Sequence, residues 1–276
     1  MKWYTCCNEA GLASGGECLI AAVESCLTRT RLKPHLIFDG PPNALMRHFE
    51  RRGVTVVFRS LSFAPQIARN RGAAPIDYDW LLGNALRFDI PLVEAEDEVV
   101  LYTDTDVLFH REVALAPPPA PLAAIREILT DDEVRETDRA FNAGVMLMNV
   151  KFMRSLHPVF ERLLIDLSAG TYTNPWYDQG IMNSVCAGLW AALPQTFNCR
   201  PYFGCEGAPI ITHFQFLKPN MMTGAGDLIR PDPRQEALLR RARPAYLAAR
   251  RAVAALVSPE ARSALLDACP AAVLSR

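Results

Sequence analysis

Two aspartates in one short segment are the residues of this chain best suited to hold a metal ion. Asp104 and Asp106 follow directly on the apolar run Val99–Tyr102, which is typical of a central parallel strand buried on both faces. An α/β sheet binds its ligands at the carboxyl ends of its strands, and carboxylate oxygens suit Mg²⁺ and Mn²⁺. The pair therefore predicts a divalent-metal site that would neutralise a diphosphate leaving group. Taken alone, it would equally fit a solvated turn after the strand.

Strands and helices alternate around this segment. Short β-branched or aromatic runs predict strands, and apolar residues at helical spacing between them predict helices. The predicted strands cover residues 2–8, 35–38, 54–58, 99–102, 145–149 and 209–213, and the predicted helices lie near residues 19–27, 45–49, 80–87, 152–167 and 178–185. This order predicts an α/β fold with a mostly parallel central sheet flanked by helices.

Composition and charge narrow the class of protein. The chain has 276 residues, half of them apolar, enough for one large domain with a smaller appendage. Lys and Arg number 29 against 30 for Asp and Glu, which argues against a nucleic-acid partner. The eight cysteines form none of the C-x-x-C pairs that hold structural zinc, so we expect buried thiols. Without a secretory signal or a long apolar run, we expect a cytoplasmic protein.

The composition changes near residue 230 towards Ala, Leu and Arg. We therefore predict a main domain over residues 1–229 and a helical C-terminal extension over residues 230–276. Arginines alternate in the extension with apolar residues, which would allow a peripheral contact with an anionic membrane. These apolar residues are Leu238, Leu239, Leu247, Val253 and Leu256. A solvated pair of helices interrupted at Pro244 is the alternative.

Four sequence blocks follow one another along the first 220 residues. They are LRFDIP (86–91) ahead of VVLYTDTDVLF (99–109), FNAGVMLMN (141–149), YDQGIMN (177–183) and HFQFLKP (213–219). Together they resemble the GT-A glycosyltransferases of family eight, the group that contains bacterial lipopolysaccharide galactosyltransferases and glycogenin. The resemblance implies the GT-A fold, in which a Rossmann-like domain binds a nucleotide sugar.

The resemblance assigns a metal site and a phosphate contact. Asp104 and Asp106 match the metal-binding D-x-D motif, and His213 matches the histidine that completes the protein ligands of Mn²⁺ or Mg²⁺. That role needs a neutral imidazole. Lys218 matches a lysine that contacts the donor phosphates. In this chain the last block is one residue shorter than in the family, its glycine is absent, and Asn220 stands where tryptophan is expected.

The resemblance also places residues along the donor. Arg87 matches a helix arginine that reaches the donor, and Asp178 and Gln179 match the catalytic pair beside the donor sugar, with Gln179 near the anomeric carbon. The other matched donor-binding positions are Asn8, Thr105, Asn142, Ala143 and Gly144. Asn8 falls where the family places nucleoside contacts.

By this resemblance the chain is a metal-dependent, retaining hexosyltransferase. It would move a hexose from a nucleotide diphosphate sugar, which we expect to be a UDP-hexose, to a hydroxyl of a glycan, lipid-linked or protein acceptor. Retaining glycosidases use a carboxylate nucleophile, but no carboxylate of this chain is an obvious one and Gln179 is a poor one. We therefore expect the acceptor to attack on the face from which the diphosphate leaves.

Two other functions are compatible with parts of the sequence. An aspartate after a hydrophobic strand also resembles the nucleophile loop of haloacid dehalogenase-like phosphatases, with Asp104 accepting the phosphate. That function leaves the last three blocks without a role. A catalytically silent scaffold that binds a nucleotide sugar is the second alternative, and the altered block around Lys218 permits it.

Overall fold

A seven-stranded sheet with helices on both faces forms the body of the protein. The computed structural model describes residues 1–116, 120–129, 135–174, 176–222, 227–229 and 232–270. The strands are β1 (Lys2–Asn8), β2 (Lys33–Asp39), β3 (Thr55–Phe58), β4 (Val99–Thr103), β5 (Val107–Phe109), β6 (Leu122–Leu129), β7 (Arg135–Asn149), β8 (Trp190–Ala192) and β9 (Ile211–His213). The helices are α1 (Glu9–Arg29), α2 (Ala44–Arg51), α3 (Ala64–Arg69), α4 (Tyr78–Ala85), α5 (Ile90–Val93), α6 (Val150–Ser168), α7 (Tyr177–Val185), α8 (Pro233–Leu256) and α9 (Pro259–Ala268).

The large sheet has the strand order β3-β2-β1-β4-β7-β6-β8. Four of its neighbouring pairs are parallel, which confirms the predicted mostly parallel sheet. Strand β7 runs antiparallel to β4 and to β6, with Val99 opposite Asn149 and Thr103 opposite Val145. For β6 and β7 the connection explains the direction, because it spans only residues 130–134 and a parallel pair needs a much longer crossover.

Strand β9 lies apart from the large sheet. The sequence predicts a strand over residues 209–213, and the structure forms it over Ile211–His213. It pairs antiparallel with β5 in a two-stranded sheet of its own. This small sheet joins the segment after β4 to a segment about a hundred residues later in the chain.

Side chains of the central strands alternate between two hydrophobic cores. Trp3 and Cys7 of β1 belong to the core that α1 covers, whereas Tyr4 and Cys6 belong to the core that α4, α6 and α7 cover. Because both faces of the sheet are buried, the central strands are apolar throughout. All eight cysteines lie in the described ranges as free thiols, and six of them are buried, as predicted.

Helix α8 consists of two helical parts that meet at a kink. Ala242, two residues before Pro244, has non-helical φ and ψ, which agrees with the prediction that the helix is interrupted at Pro244. A proline lacks the N–H that would bond to the preceding turn, and a helix supported by packing bends at such a point. Residues 230, 231 and 271–276 of the predicted extension lie outside the described residues. The buried side chains of α8 are Leu238, Leu239, Tyr246 and Val253.

Helix α9 packs closely on α1. Gly16 makes this approach possible, since a Cβ added there would stand 2.5 Å from Leu265 Cδ1. One turn away along the contact, Arg262 Nη2 lies 2.9 Å from the buried Glu17 Oε1. An ion pair and a close apolar contact therefore fix the same two helices.

Helix α1 is the one helix in the described ranges that is long and apolar enough to cross a membrane. Two thirds of its most apolar 18-residue window is buried inside the fold. A core helix of this length passes the same test of composition, and α1 packs here as a core helix.

Candidate active site

The carboxyl end of β4 brings two carboxylates and an imidazole together. Asp104 and Asp106 follow β4, and the pairing of β5 with β9 places Val107 opposite His213. His213 Nε2 consequently lies 3.5 Å from Asp106 Oδ1 and 3.7 Å from Asp104 Oδ2. The two-stranded sheet therefore assembles the three residues that the sequence predicts as metal ligands.

This cluster has the chemistry of a site for a divalent cation. One ligand atom from each of Asp104, Asp106 and His213 lies within 4.8 Å of the others. Two carboxylates and one imidazole form a set of oxygen and nitrogen ligands that Mn²⁺ and Mg²⁺ accept. Three protein ligands on one side would leave the remaining positions of an octahedral ion open to a substrate.

The glycine of the FNAG block lies directly beneath the imidazole. A Cβ added at Gly144 would stand 2.2 Å from His213 Cε1 and 2.8 Å from each ring nitrogen. The Gly144 carbonyl accepts a hydrogen bond from the backbone N–H of Asp104 at 2.9 Å. Gly144 is thus required for the close approach of His213 to β7.

A lysine partly neutralises the buried carboxylates. Lys218 Nζ lies 3.1 Å from Asp106 Oδ2. Burial would raise the pKa of Asp106, but Lys218 and His213 outweigh it and hold that pKa well below its usual range. Burial would lower the pKa of Lys218, and the nearby Asp106 keeps it above its ordinary value instead. Both groups are therefore charged at neutral pH and form an ion pair.

Arg87 joins the metal cluster to the YDQG block. Its guanidinium is buried and lies 3.1 Å from Asp104 Oδ1 and 3.3 Å from Asp178 Oδ2. It also donates to the carbonyl of Ala143 at 3.0 Å and covers the ring of Tyr102. Burial raises the pKa of Asp178, and the nearby Arg87 offsets this only in part.

Gln179 is held in one orientation by the FNAG block. Its Oε1 accepts from the backbone N–H of Ala143 at 2.9 Å and from Asn142 Nδ2 at 3.3 Å. Its Nε2 donates to Glu127 Oε2 at 2.7 Å. Asp178 and Gln179 lie in the first turn of α7. The predicted catalytic pair lines the same cavity as Arg87 and Asp104.

Asn8 and Thr105 line a cavity of about 310 Å³ together with Lys218. Asn8 also caps α1, because its Oδ1 accepts from the backbone N–H of Gly11 at 2.9 Å. Its Nδ2 donates to the carbonyl of Asp79 at 2.7 Å. Both polar atoms of the Asn8 side chain are thus engaged within the protein.

A second cavity, of about 360 Å³, opens on the other side of Asp104 and Arg87. Two exposed tryptophans, Trp80 and Trp176, line it. Tyr177 and Phe216 line it too, and they are the only non-glycine residues with positive φ among those described. Such strained backbone is held where the surrounding structure requires it, and it concentrates at functional sites.

Sequence reasoning missed a buried polar group behind the site. Glu127 of β6 is 3% exposed, and Asn198 and Arg200 are 1% exposed. Two adjacent charged residues, Arg126 and Glu127, interrupt the apolar segment of β6 and could have drawn attention to Glu127. Asn198 and Arg200 carry no such signal, because they lie in irregular structure and only the fold brings them to the site.

Comparison with protein-family models gives no match, and comparison with curated proteins gives none. Solved structures do match. The galactosyltransferase LgtC, in complex with donor and acceptor sugar analogues, is 16% identical with a TM-score of 0.58, over 89% of this chain and 95% of LgtC. Mouse xyloside xylosyltransferase 1 is 16% identical with a TM-score of 0.54, over 78% of this chain and 97% of the mouse chain.

A third structure extends the same result. The apo form of the glycosyltransferase GlyE from Streptococcus pneumoniae is 18% identical with a TM-score of 0.55, over 95% of this chain and 63% of GlyE. The chain therefore has the α/β GT-A fold of these glycosyltransferases, which confirms the predicted fold class.

Proposed function

We propose that this protein is a metal-dependent, retaining glycosyltransferase that moves a hexose from a nucleotide diphosphate sugar, with UDP as the expected carrier, to an acceptor hydroxyl. The observation that carries the proposal is the cluster of Asp104, Asp106 and His213 beside Lys218 at the carboxyl end of β4. Open α/β sheets bind their ligands at the carboxyl ends of the strands, so the cluster lies where a diphosphate would be received.

The residues present fit a bound Mn²⁺ or Mg²⁺. Asp104, Asp106 and His213 would hold the ion, which supplies positive charge to the diphosphate as it leaves. Lys218 reaches the same carboxylates from the side of the cavity that Asn8 and Thr105 line. A flexible ammonium at this place can follow the leaving phosphate as charge develops on it.

The donor sugar would lie between Arg87, Asp178 and Gln179. Arg87 is held by the two carboxylates that it bridges, so its guanidinium presents a fixed positive charge near the leaving group. Asn142, in contrast, has its amide engaged by protein atoms on both sides. We therefore assign Asn142 to positioning Gln179 rather than to a hydrogen bond with the sugar.

The surroundings of Gln179 support attack on the face from which the diphosphate leaves. Glu127 is the carboxylate bonded to Gln179, but its oxygens accept from Arg200 Nη1 at 3.2 Å and from the N–H of Ile128 at 2.7 Å as well. A buried carboxylate with its lone pairs occupied by donors is a poor nucleophile. If Gln179→Ala kept the wild-type rate of transfer, Gln179 would have no place beside the anomeric carbon.

The acceptor would enter through the cavity that Trp80 and Trp176 line. Aromatic faces bind apolar surfaces such as those of a sugar ring, and Arg234 of α8 covers Phe216 at the same rim, 4.1 Å from the ring centre. This cavity adjoins Asp178 and Gln179, where a hydroxyl would meet the donor. A hydroxyl group of a glycan, of a lipid-linked glycan or of a protein side chain could each enter this cavity as the acceptor.

A cytoplasmic location with peripheral membrane contact remains part of the proposal. The exposed arginines of α8, Arg240, Arg241 and Arg251, support an electrostatic contact. Of the apolar residues predicted to face the membrane, three are buried in the core and two are half-buried, namely Leu238, Leu239 and Val253 against Leu247 and Leu256. We expect Arg240→Glu/Arg241→Glu to lose binding to anionic liposomes and to keep the wild-type melting temperature. Unchanged liposome binding would remove the membrane contact.

Calorimetric titration with a panel of nucleotides and nucleotide sugars tests the central proposal. Each ligand is titrated with Mn²⁺ and with a chelator into wild type, into Asp104→Asn/Asp106→Asn, and into Asp267→Asn, a surface control on α9. We expect one nucleoside diphosphate series to bind only with Mn²⁺, and only to wild type and the control. Absence of metal-dependent binding would overturn the proposal.

The same samples separate the remaining functions. Release of nucleoside diphosphate from the bound sugar nucleotide would show turnover, whereas binding without release would indicate a silent scaffold. Hydrolysis of an aryl phosphate that is lost in Asp104→Asn would indicate a phosphatase instead.

A further inference from the structure

We propose that Asn198 is a positioning residue that fixes the imidazole of His213, so that Nε2 presents its lone pair to the metal site. The proposal rests on the proposed function in that it takes His213 as a metal ligand. It adds a residue that no sequence block contains, and it explains which nitrogen of the ring is available.

The contact between the two side chains is buried. His213 is 2% exposed and Asn198 is 1% exposed, and Nδ1 of the ring lies 3.1 Å from Asn198 Oδ1. Nε2 points to the opposite side, towards Asp104 and Asp106. An imidazole can donate at Nδ1 and accept at Nε2, or the reverse, and the partner of one nitrogen decides which form is present.

A backbone N–H, which can only donate, decides which atom donates in the hydrogen bond between Asn198 and His213. The N–H of Gly144 donates to Asn142 Oδ1 at 3.0 Å, so the oxygen of the Asn142 amide must lie on that side. The same oxygen accepts from Asn198 Nδ2 at 2.8 Å. With its NH₂ group turned to Asn142, Asn198 has its oxygen turned to His213, and Nδ1 must carry the hydrogen.

The other end of the chain of hydrogen bonds is fixed independently. Asn142 Nδ2 donates to Glu127 Oε2 at 3.0 Å, and a carboxylate only accepts. Glu127 Oε1 in turn accepts from Arg200 Nη1 at 3.2 Å, and a guanidinium only donates. If the amide of Asn142 or Asn198 were flipped, donors would face donors and acceptors would face acceptors inside the protein.

The consequence is a histidine prepared for a metal before the metal arrives. A ligating imidazole must present a lone pair, and the hydrogen bond on its other nitrogen sets its orientation and its basicity. Asn142 belongs to the same chain and also holds Gln179 Oε1. One buried network thus orients the proposed metal ligand and the residue proposed to lie beside the anomeric carbon.

The first test uses the wild-type protein alone. Long-range ¹H–¹⁵N correlation spectra of protein labelled with ¹⁵N-histidine, recorded without metal, report which ring nitrogen carries the hydrogen. The chain has five histidines, and His213→Gln assigns the signal. We expect a hydrogen on Nδ1 of His213, whether or not Nε2 beside the two carboxylates also carries one, and a ring with a hydrogen on Nε2 alone would overturn the proposal.

The second test compares two variants by titration with Mn²⁺ alone, followed by electron paramagnetic resonance. Asn198→Asp keeps an acceptor for Nδ1 but loses the hydrogen bond to Asn142 Oδ1, so we expect a hydrogen on Nδ1 and a smaller loss of Mn²⁺ affinity than in Asn198→Leu. Asn198→Leu removes the acceptor, and we expect Mn²⁺ affinity to fall about 10- to 100-fold. Asn70→Leu is a matched control, because it removes a partly buried amide bonded to Ser168 Oγ at 2.9 Å outside the site.

The outcomes separate this proposal from the proposed function. Equal loss of Mn²⁺ affinity in Asn198→Asp and Asn198→Leu, or no loss in a folded Asn198→Leu, would overturn the positioning role. If Asn198→Leu fails to fold, the wild-type spectrum and Asn198→Asp still decide the matter. Neither measurement involves sugar transfer, so an absence of glycosyltransferase activity would sink the function and leave the role of Asn198 standing.

Discussion

Replacing Gly144 with alanine should displace a proposed metal ligand without changing any charge. Gly144 is not among the glycines with positive φ, so its backbone accepts an alanine and the effect comes from the added methyl group alone. That Cβ would stand 2.2 Å from His213 Cε1. Ordinary van der Waals contact begins near 3.4 Å, so the ring must retreat by more than 1 Å.

A movement of this size is large for a metal site. Ligand distances must hold to within about 0.2 Å for a metal to bind well. We therefore expect Gly144→Ala to weaken Mn²⁺ binding at least about tenfold, the scale of a disturbed ligand orientation, and to approach the loss in His213→Ala. The overpacking should also lower the free energy of unfolding by about 1–3 kcal/mol.

Mn²⁺ titration by electron paramagnetic resonance measures the first effect, and urea denaturation measures the second. Gly15→Ala is the matched control, because it adds the same methyl group beside the same site with its nearest neighbour, Lys218 Nζ, at 3.8 Å. Gly15→Ala should bind Mn²⁺ as wild type does. A folded Gly144→Ala with wild-type affinity for Mn²⁺ would refute the argument that His213 depends on this glycine.

Three further perturbations have expected outcomes. Burial would raise the pKa of Glu94, but backbone N–H groups and two side chains bring it from 4.5 down to about 2. A carboxyl group with a depressed pKa contributes stability that is present above about pH 4.5 and is lost as the pH falls towards 2. Glu94→Gln should remove this pH-dependent part of the free energy of unfolding, which is at most about 3 kcal/mol. Urea denaturation at a series of pH values measures it. Glu96→Gln, at an exposed neighbouring position, is the control and should retain the pH dependence. Gly16→Ala should lower the free energy of unfolding by about 1–3 kcal/mol, and shortening Leu265 to alanine in the same chain should make the two losses less than additive. Arg87→Met leaves the buried carboxylate of Asp178 without its cation and should cost about 3–5 kcal/mol of unfolding free energy in urea denaturation. A cost below 1 kcal/mol would contradict the pairing assigned to Arg87.

The mostly parallel α/β architecture could be predicted because its causes are local in the sequence, whereas the resemblance of the four blocks implied the GT-A fold. A run such as Val99–Tyr102 is apolar at every position, which only a strand buried on both faces requires. The antiparallel direction of β7 could not be predicted, because the residue pattern of the predicted strand at residues 145–149 does not depend on strand direction. The interruption near Pro244 could be predicted, because a proline removes a helix hydrogen bond, whereas packing placed the kink itself at Ala242.

The candidate metal cluster was also accessible from the sequence, with Asp104 and Asp106 in one motif and His213 in another. What could not be predicted is the hydrogen-bonded support behind it. Glu127 and Asn198 meet the site from segments that no motif marks, and their importance arises from burial, where each donor needs an acceptor. The residue types alone do not reveal which buried amide side chains contact one another.

The sequence by itself determined the order of strands and helices, the carboxylate pair at the end of β4, and the block that carries Gln179, because periodicity and short motifs act between neighbours in the chain. Only the tertiary structure decided which nitrogen of His213 faces Asp106, which carboxylate holds Gln179, and that Arg234 of α8 reaches the rim of the site. These contacts join residues 15 to 107 positions apart, or a C-terminal helix to a cavity. Their geometry follows from how two sheets and the helices around them pack, which is a property of the folded chain as a whole.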